Sequence, residues 1–92
     1  MKVHYNSQSL SDLNEILSYL IVRNPVAADQ QLSRFESSVR RIGQNPHIGV
    51  ALRPNLRRIV VGKYLIVYSI GVDTITIEYI RHSARKRPWE GE

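Results

Sequence analysis

The sequence predicts an α+β domain in which an α-helical hairpin packs on one face of an antiparallel β-sheet, in the order β-α-α-β-β-β. Three observations predict it. Residues 10–42 carry two apolar stripes at three- and four-residue spacing, parted only by Asn24-Pro25. Residues 56–81 hold three runs rich in β-branched and aromatic side chains, divided by Gly62-Lys63 and by Gly71-Val72-Asp73. The 92-residue length leaves room for one hydrophobic core, and so for a single domain spanning 1–92.

The elements follow in chain order. Lys2-Val3-His4-Tyr5 is short and alternates polar with apolar side chains, as an edge strand does. Ser9-Leu10-Ser11-Asp12 resembles a capping box, with Ser9 at N-cap and Asp12 at N3 in place of the usual Glu. Leu10, Leu13, Ile16, Leu17 and Leu20 then line one face of a helix from Leu10 to Arg23. Asn24-Pro25 ends this helix, because a residue before proline avoids the α region. The same pair starts the next one, with Asn24 as cap and Pro25 at N1, where a missing N–H costs nothing. Ala28, Leu32, Phe35, Val39 and Ile42 form its stripe, and Gly43 is placed to terminate it. Helices joined by so short a link form an antiparallel hairpin, and their stripes cover the sheet.

Gln44 to Asn55, with two prolines and a glycine, reads as a loop. Three strands come after it, Leu56–Val61, Tyr64–Ile70 and Thr74–Arg81. Gly62 opens a two-residue turn, and a type II′ hairpin needs φ > 0 at that position. In the last strand Ile75, Ile77 and Tyr79 point to one face, and Thr74, Thr76 and Glu78 to the other. Continued alternation puts Arg81 with Ile77 and Tyr79, and His82 with Glu78 and Ile80. The two side chains then diverge.

Composition narrows the function. The absence of cysteine excludes disulfides and thiolate metal sites and fits a reducing cytosol. No apolar run approaches the roughly 18 residues of a membrane span, and the N-terminus lacks a signal-peptide pattern, so a soluble cytoplasmic protein without a membrane partner is expected. The net charge of +5 is uneven: residues 53–92 carry eight Lys/Arg against four Asp/Glu, residues 1–52 five against four. The positive half coincides with the sheet and tail and attracts polyanions, whether nucleic acid or an acidic protein segment. A basic nucleic-acid-binding module is one function class that charge alone allows.

Arg57, Arg58, Lys63, Arg81 and Arg85 are the candidate contacts to such a partner. Metal-free RNA cleavage needs a base for the 2′-hydroxyl, an acid for the 5′-oxygen and cations for the phosphorane. His82 suits the acid or base, Arg57, Arg58, Arg81 and Arg85 suit the phosphate, and Glu78 or Tyr79 suits an assisting role. His82 and Arg85 suit better a structural role, closing the sheet by hydrogen bonds at the chain end. His4 and His47 stand apart from any zinc spacing, so neither metal nor cofactor is expected. Tyr64 and Tyr68 share a strand face with Ile66, where tyrosines are core or rim. Trp89 is either a lid over the sheet or an anchor for a partner.

Several of these features together resemble the RelE/ParE superfamily of type II toxin–antitoxin toxins. They are Asp12-Leu13, Arg23-Asn24-Pro25, Asn45-Pro46-His47-Ile48-Gly49, Leu56-Arg57, Gly62-Lys63-Tyr64-Leu65-Ile66-Val67-Tyr68 and Ile80-Arg81-His82-Ser83-Ala84-Arg85, an ordered set across residues 3–88. The R-N-P helix junction, the N-P-x-x-G loop and the H-x-x-R ending look closer to the ParE branch. The resemblance implies a sheet packed on a helical hairpin and a bacterial toxin neutralised, in a hetero-oligomer, by a cognate antitoxin that wraps it. For the ParE branch it implies inhibition of DNA gyrase without catalysis. The alternative, the RelE branch, implies ribosome-dependent cleavage of mRNA, for which His82, Arg81, Arg85 and Arg58 are the candidate catalytic residues. Few lysines lie near the sheet, only Lys63 and Lys86, and that departs from the best-known RelE-type ribonucleases.

Overall fold

The computed structural model describes residues 1–83; Arg85 and Trp89, with the roles expected of them, lie outside the described residues. Strand β1 (Lys2–Tyr5) leads into helices α1 (Ser7–Arg23) and α2 (Pro25–Gln44). A 3-10 turn (Pro46–Ile48) then precedes strands β2 (Val50–Arg53), β3 (Leu56–Val61), β4 (Tyr64–Ile70) and β5 (Thr74–His82). The strands lie in the order β1-β5-β4-β3-β2. β1 runs parallel to β5, and the other neighbours are antiparallel. The helical hairpin covers one face, with α1 against β5 and α2 reaching β1 and β3. The α+β architecture and the edge position of Lys2–Tyr5 are as the sequence predicts.

Phe35 and Ile42 of α2 meet Val61, Ile66, Tyr68, Ile75, Ile77 and Ile80 of the sheet in one buried cluster. Burying a side chain of this size contributes roughly 1.5–3 kcal/mol. Along α2 the buried positions are Ala28, Gln31, Phe35, Ser38 and Ile42. The helix is therefore rolled slightly from the purely apolar stripe: Val39 stays at the margin of the core, and Leu32 is half-buried. The β3–β4 turn follows expectation, since Val61 pairs with Tyr64 and Gly62 has φ 62°.

Four expectations need correction. The cap of α1 is Asn6, whose side-chain oxygen accepts the Ser9 N–H at 2.8 Å, so Ser9 sits at N3 and no Ser9–Asp12 capping box forms. An extra turn of helix is favoured because Asn6 also ties the helix start to β5, donating from Nδ2 to Glu78. Gly43 does not end α2, which continues to Gln44 with Asn45 as C-cap. Its missing side chain serves close approach instead: a Cβ there would lie 3.2 Å from the Met1 carbonyl oxygen and 3.3 Å from Val3. The Met1 ammonium donates to the Gly43 carbonyl at 3.0 Å, fastening β1 to the end of α2.

The third correction is that the predicted loop, Gln44 to Asn55, contains β2. All four of its side chains are exposed, so it shows no alternation, and it is held on one side only, by β3. The preceding turn is fixed from within the core: the Tyr68 hydroxyl donates to the Pro46 carbonyl at 2.7 Å and accepts the Gly49 N–H at 3.0 Å.

The fourth is a bulge in β5. Val67 pairs with Tyr79 but the next residue, Tyr68, pairs with Ile77, which leaves Glu78 as an extra residue. A bulge of this kind puts two consecutive side chains on one face and shifts the alternation beyond it. Ile80, not Tyr79, therefore continues the buried row of Ile75 and Ile77. β1 ends at Tyr5, opposite Ile77, so the outer edge of β5 has no strand neighbour after that point. There the buried Asp12 carboxylate of α1 accepts the Ile80 N–H at 2.9 Å and the Gln8 amide at 2.8 Å.

Candidate functional site

The face of the sheet turned away from the helices is assembled by register. Directly paired residues share a face, and faces alternate along each strand. Ile66 and Tyr68 are in the core, so Leu65, Val67 and Ser69 of β4 face outward. Their partners bring Leu56, Arg58 and Val60 of β3 and Thr76, Tyr79 and Arg81 of β5 to the same side. β2 adds Val50 opposite Arg58 and Arg53 opposite Leu56, and β1 adds Lys2 and His4 opposite Thr74 and Thr76. The open face thus gathers Lys2, Arg53, Arg58 and Arg81 around a strip of apolar side chains.

Contacts confirm the bulged register. The Arg81 guanidinium lies over the Tyr79 ring, 4.3 Å from its centroid, a cation–π arrangement that fixes both on one side. The Ser69 hydroxyl donates to the Glu78 carboxylate at 2.6 Å, and Asn6 donates to its other oxygen at 3.2 Å. His4 Nε2 and Thr76 Oγ1 are 3.1 Å apart. Glu78 is engaged on both oxygens by neighbours in the fold.

The candidate cations do not act as one set. Arg58 is exposed on the open face. Arg57 pairs with Tyr68, so it lies on the helix side, and its guanidinium donates to the Gly49 carbonyl at 2.7 Å and the His47 carbonyl at 3.3 Å. That is a bracket on the turn before β2. Lys63 is exposed in the β3–β4 turn, and its carbonyl accepts from the Ser83 N–H and hydroxyl at 2.7 and 2.9 Å. Arg81 and His82 diverge, as expected, but with the bulge Arg81 leaves the face of Ile77 while keeping that of Tyr79. His82 pairs with Tyr64 and meets its ring edge-on at 5.3 Å, and Tyr64 meets Phe35 in the same manner at 5.5 Å. His82 is therefore on the helix side, across the sheet from Arg58 and Arg81.

Sequence reasoning passed over Lys2 and Arg53 as members of the open face. Their placement depends on β1 pairing with β5 and on β2 existing, and neither the parallel pairing nor β2 has a local signature. Tyr5, half-buried between β5 and α2, has its phenol pushed above the ordinary tyrosine range, first by burial and then by the Glu36 carboxylate. Among the described residues no group of three His, Asp or Glu is close enough to hold a metal ion, and no helix is long and apolar enough to cross a membrane.

Comparison with known proteins adds three findings. A family model described as the ParE toxin of the type II toxin–antitoxin system parDE matches residues 3–87. Toxin RelE3 of Caulobacter vibrioides is 27% identical over 89 residues, covering 92% of this chain and 97% of the relative. A structure described as the chromosomal ParDE toxin–antitoxin system from P. aeruginosa superposes with a TM-score of 0.75 over 89% of this chain and 95% of that one. At 17% identity the last likeness is one of fold.

Proposed function

This chain belongs to the ParE toxin family of type II toxin–antitoxin systems, and on that premise we propose that it poisons DNA gyrase by binding and is neutralised by a cognate, acidic antitoxin in a hetero-oligomer. The supporting observation is the split of the cations from the candidate acid or base. Arg58 and Arg81 occupy the open face, His82 the opposite one, and Glu78 is held by Ser69 and Asn6. General acid–base catalysis needs its proton carriers within hydrogen-bond reach of the reacting atoms, on the same side as the phosphate-holding groups. A basic face with an apolar strip suits binding to an acidic surface instead. Purified protein at modest excess over gyrase is expected to block supercoiling. Undiminished supercoiling overturns the reading.

A second reading, ribosome-dependent mRNA cleavage, has one observation in its favour. The bulge brings Tyr79 and Arg81 onto the open face together with Arg58, a set able to stack on a base and hold a phosphate. New mRNA 5′ ends within translated codons after induction would establish it, and their absence removes it.

A further inference from the structure

Strand register sets the arginines of the open face in a line. Arg58 shares a row with Val67 and Tyr79, and Arg81 shares the next outward-facing row with Leu65 and Val60. Arg81 therefore stands two strands and two residues from Arg58. At about 4.8 Å between strands and about 3.4 Å per residue, that is about 12 Å. Arg53 pairs with Leu56, one strand and two residues from Arg58 in the opposite sense, which is about 8 Å. The three arginines thus mark one diagonal of about 20 Å across the sheet, from β2 to β5.

The surroundings of this diagonal narrow its partner. Arg53 and Arg58 are exposed, and the Arg81 guanidinium is held over the Tyr79 ring. Among the described residues no carboxylate lies on the diagonal. Glu78, beside Tyr79, accepts from Ser69 and Asn6. Between Arg58 and Arg81 the open face consists of Val60, Leu65 and Val67, whose side chains offer no hydrogen-bonding group.

We infer that Arg53, Arg58 and Arg81 bind the phosphate backbone of duplex DNA, so that the open face touches the DNA that gyrase holds. The inference rests on the gyrase reading above and adds the nucleic acid to the protein as part of the target. A duplex carries one charge about every 3.4 Å on each strand, or about six along the diagonal, so each arginine meets a phosphate in any register. The guanidinium fork matches a phosphate with two parallel N–H···O bonds. A duplex is also straight before it binds, whereas a single strand or a disordered acidic segment must be ordered at an entropic cost. RNA fits less well for a further reason. Its 2′-hydroxyls would face Val60, Leu65 and Val67, which cannot hydrogen-bond them, while deoxyribose presents C–H groups there. Phosphate contacts carry no sequence information, so the binding is independent of sequence.

The test is fluorescence anisotropy of a labelled DNA duplex of mixed sequence, titrated with the full chain at several salt concentrations. Three phosphate contacts predict a log–log slope of about −2.7, a loss of about fortyfold in affinity between about 50 and 200 mM salt. Arg53→Gln and Arg58→Gln, at exposed positions, should each make the slope shallower by about 1, leaving a loss of about twelvefold over that range. Arg40→Gln, on the exposed side of α2, should leave the slope unchanged. A slope unchanged in both open-face variants overturns the assignment. So does a single-stranded RNA of the same length, or hexaglutamate, binding more tightly than the duplex at equal salt. Supercoiling assays on the same proteins separate this inference from the reading it rests on. Supercoiling blocked without duplex binding ends the inference and spares the gyrase reading; duplex binding with supercoiling untouched does the reverse.

Discussion

Asp12 and Ile80, 68 residues apart in sequence, are joined by a 2.9 Å hydrogen bond from the strand amide to the buried carboxylate. The bond sits just past the bulge that turns Tyr79 and Arg81 outward, so it links a helix side chain to the makeup of the open face. Asp12→Ala is expected to lower stability by about 1–3 kcal/mol, since a buried amide loses a charged acceptor. Asp12→Asn, which retains an acceptor, should lose less. Urea denaturation measures both, and a loss in Asp12→Ala below about 0.5 kcal/mol, the level of an ordinary surface change, would mean the bond does not hold the bulge.

Phe35 is 1% exposed and joins α2 to the sheet through Tyr64. Truncation to Ala should cost roughly 3–5 kcal/mol, a large share of the stability of a small domain. Thermal or chemical denaturation of the variant gives the number directly. A loss under about 1 kcal/mol would show that the hairpin does not depend on this contact.

Tyr68 holds the turn before β2 by two hydrogen bonds. Tyr68→Phe leaves the buried Gly49 N–H without its acceptor, at a cost of about 1–3 kcal/mol. Gly49→Ala should be worse, because the new Cβ would lie 2.6 Å from the Arg58 carbonyl oxygen and 2.8 Å from the Tyr68 hydroxyl. The ordering of the two midpoints is the check.

Arg58 and Arg81 share the open face, whereas Arg57 is spent on the Gly49 and His47 carbonyls. Arg58→Ala with Arg81→Ala should slow antitoxin association by about tenfold at low salt and far less at high salt, with little change in dissociation. Arg57→Ala should instead destabilise the fold. Stopped-flow binding at two salt concentrations separates these outcomes, and an unchanged on-rate in the double variant would rule out steering by this face.

Tyr5 gives a pH dependence whose sign follows from its raised pKa. Between the unfolded value near 10 and the higher folded one, the folded chain keeps a proton that the unfolded chain has released. The contribution is complete below pH 10 and is lost as pH rises through the folded pKa. Tyr5→Phe should therefore flatten the alkaline decline in stability. Identical decline in both proteins would assign it to other groups.

The sequence discloses the parts of this fold that follow from local periodicity, and conceals those that depend on partners. The hairpin helices, the three long strands and the Gly62 turn repeat at their own period and are legible. β2 is not, because four exposed side chains beside a proline carry no alternation. The bulge had a faint trace: Ile75 and Ile77 are two apart but Ile80 is three further on, and an unbroken strand would have buried Tyr79. Asp12 looked like a helix-cap residue because its real partner is remote in sequence. For the same reason five arginines and lysines read as one basic set, when Arg57 and Arg58 point to opposite faces.

The parallel pairing of Lys2–Tyr5 with Thr74–Ile77 also sets a timetable for synthesis. β1 leaves the ribosome well before its neighbour β5 is made, and contacts this distant in sequence slow folding. Throughout that interval Val3 and Tyr5 have no β5 to pack beside. The acidic contact residues Asp12 and Glu78 likewise meet their sheet partners only at the end. A chain interrupted before Thr74 has lost both the neighbour of β1 and the central pairing of β4. Its product is an unclosed sheet, open to chaperones and proteases, so translation arrest or a nonsense codon anywhere upstream of β5 should yield no assembled open face at all.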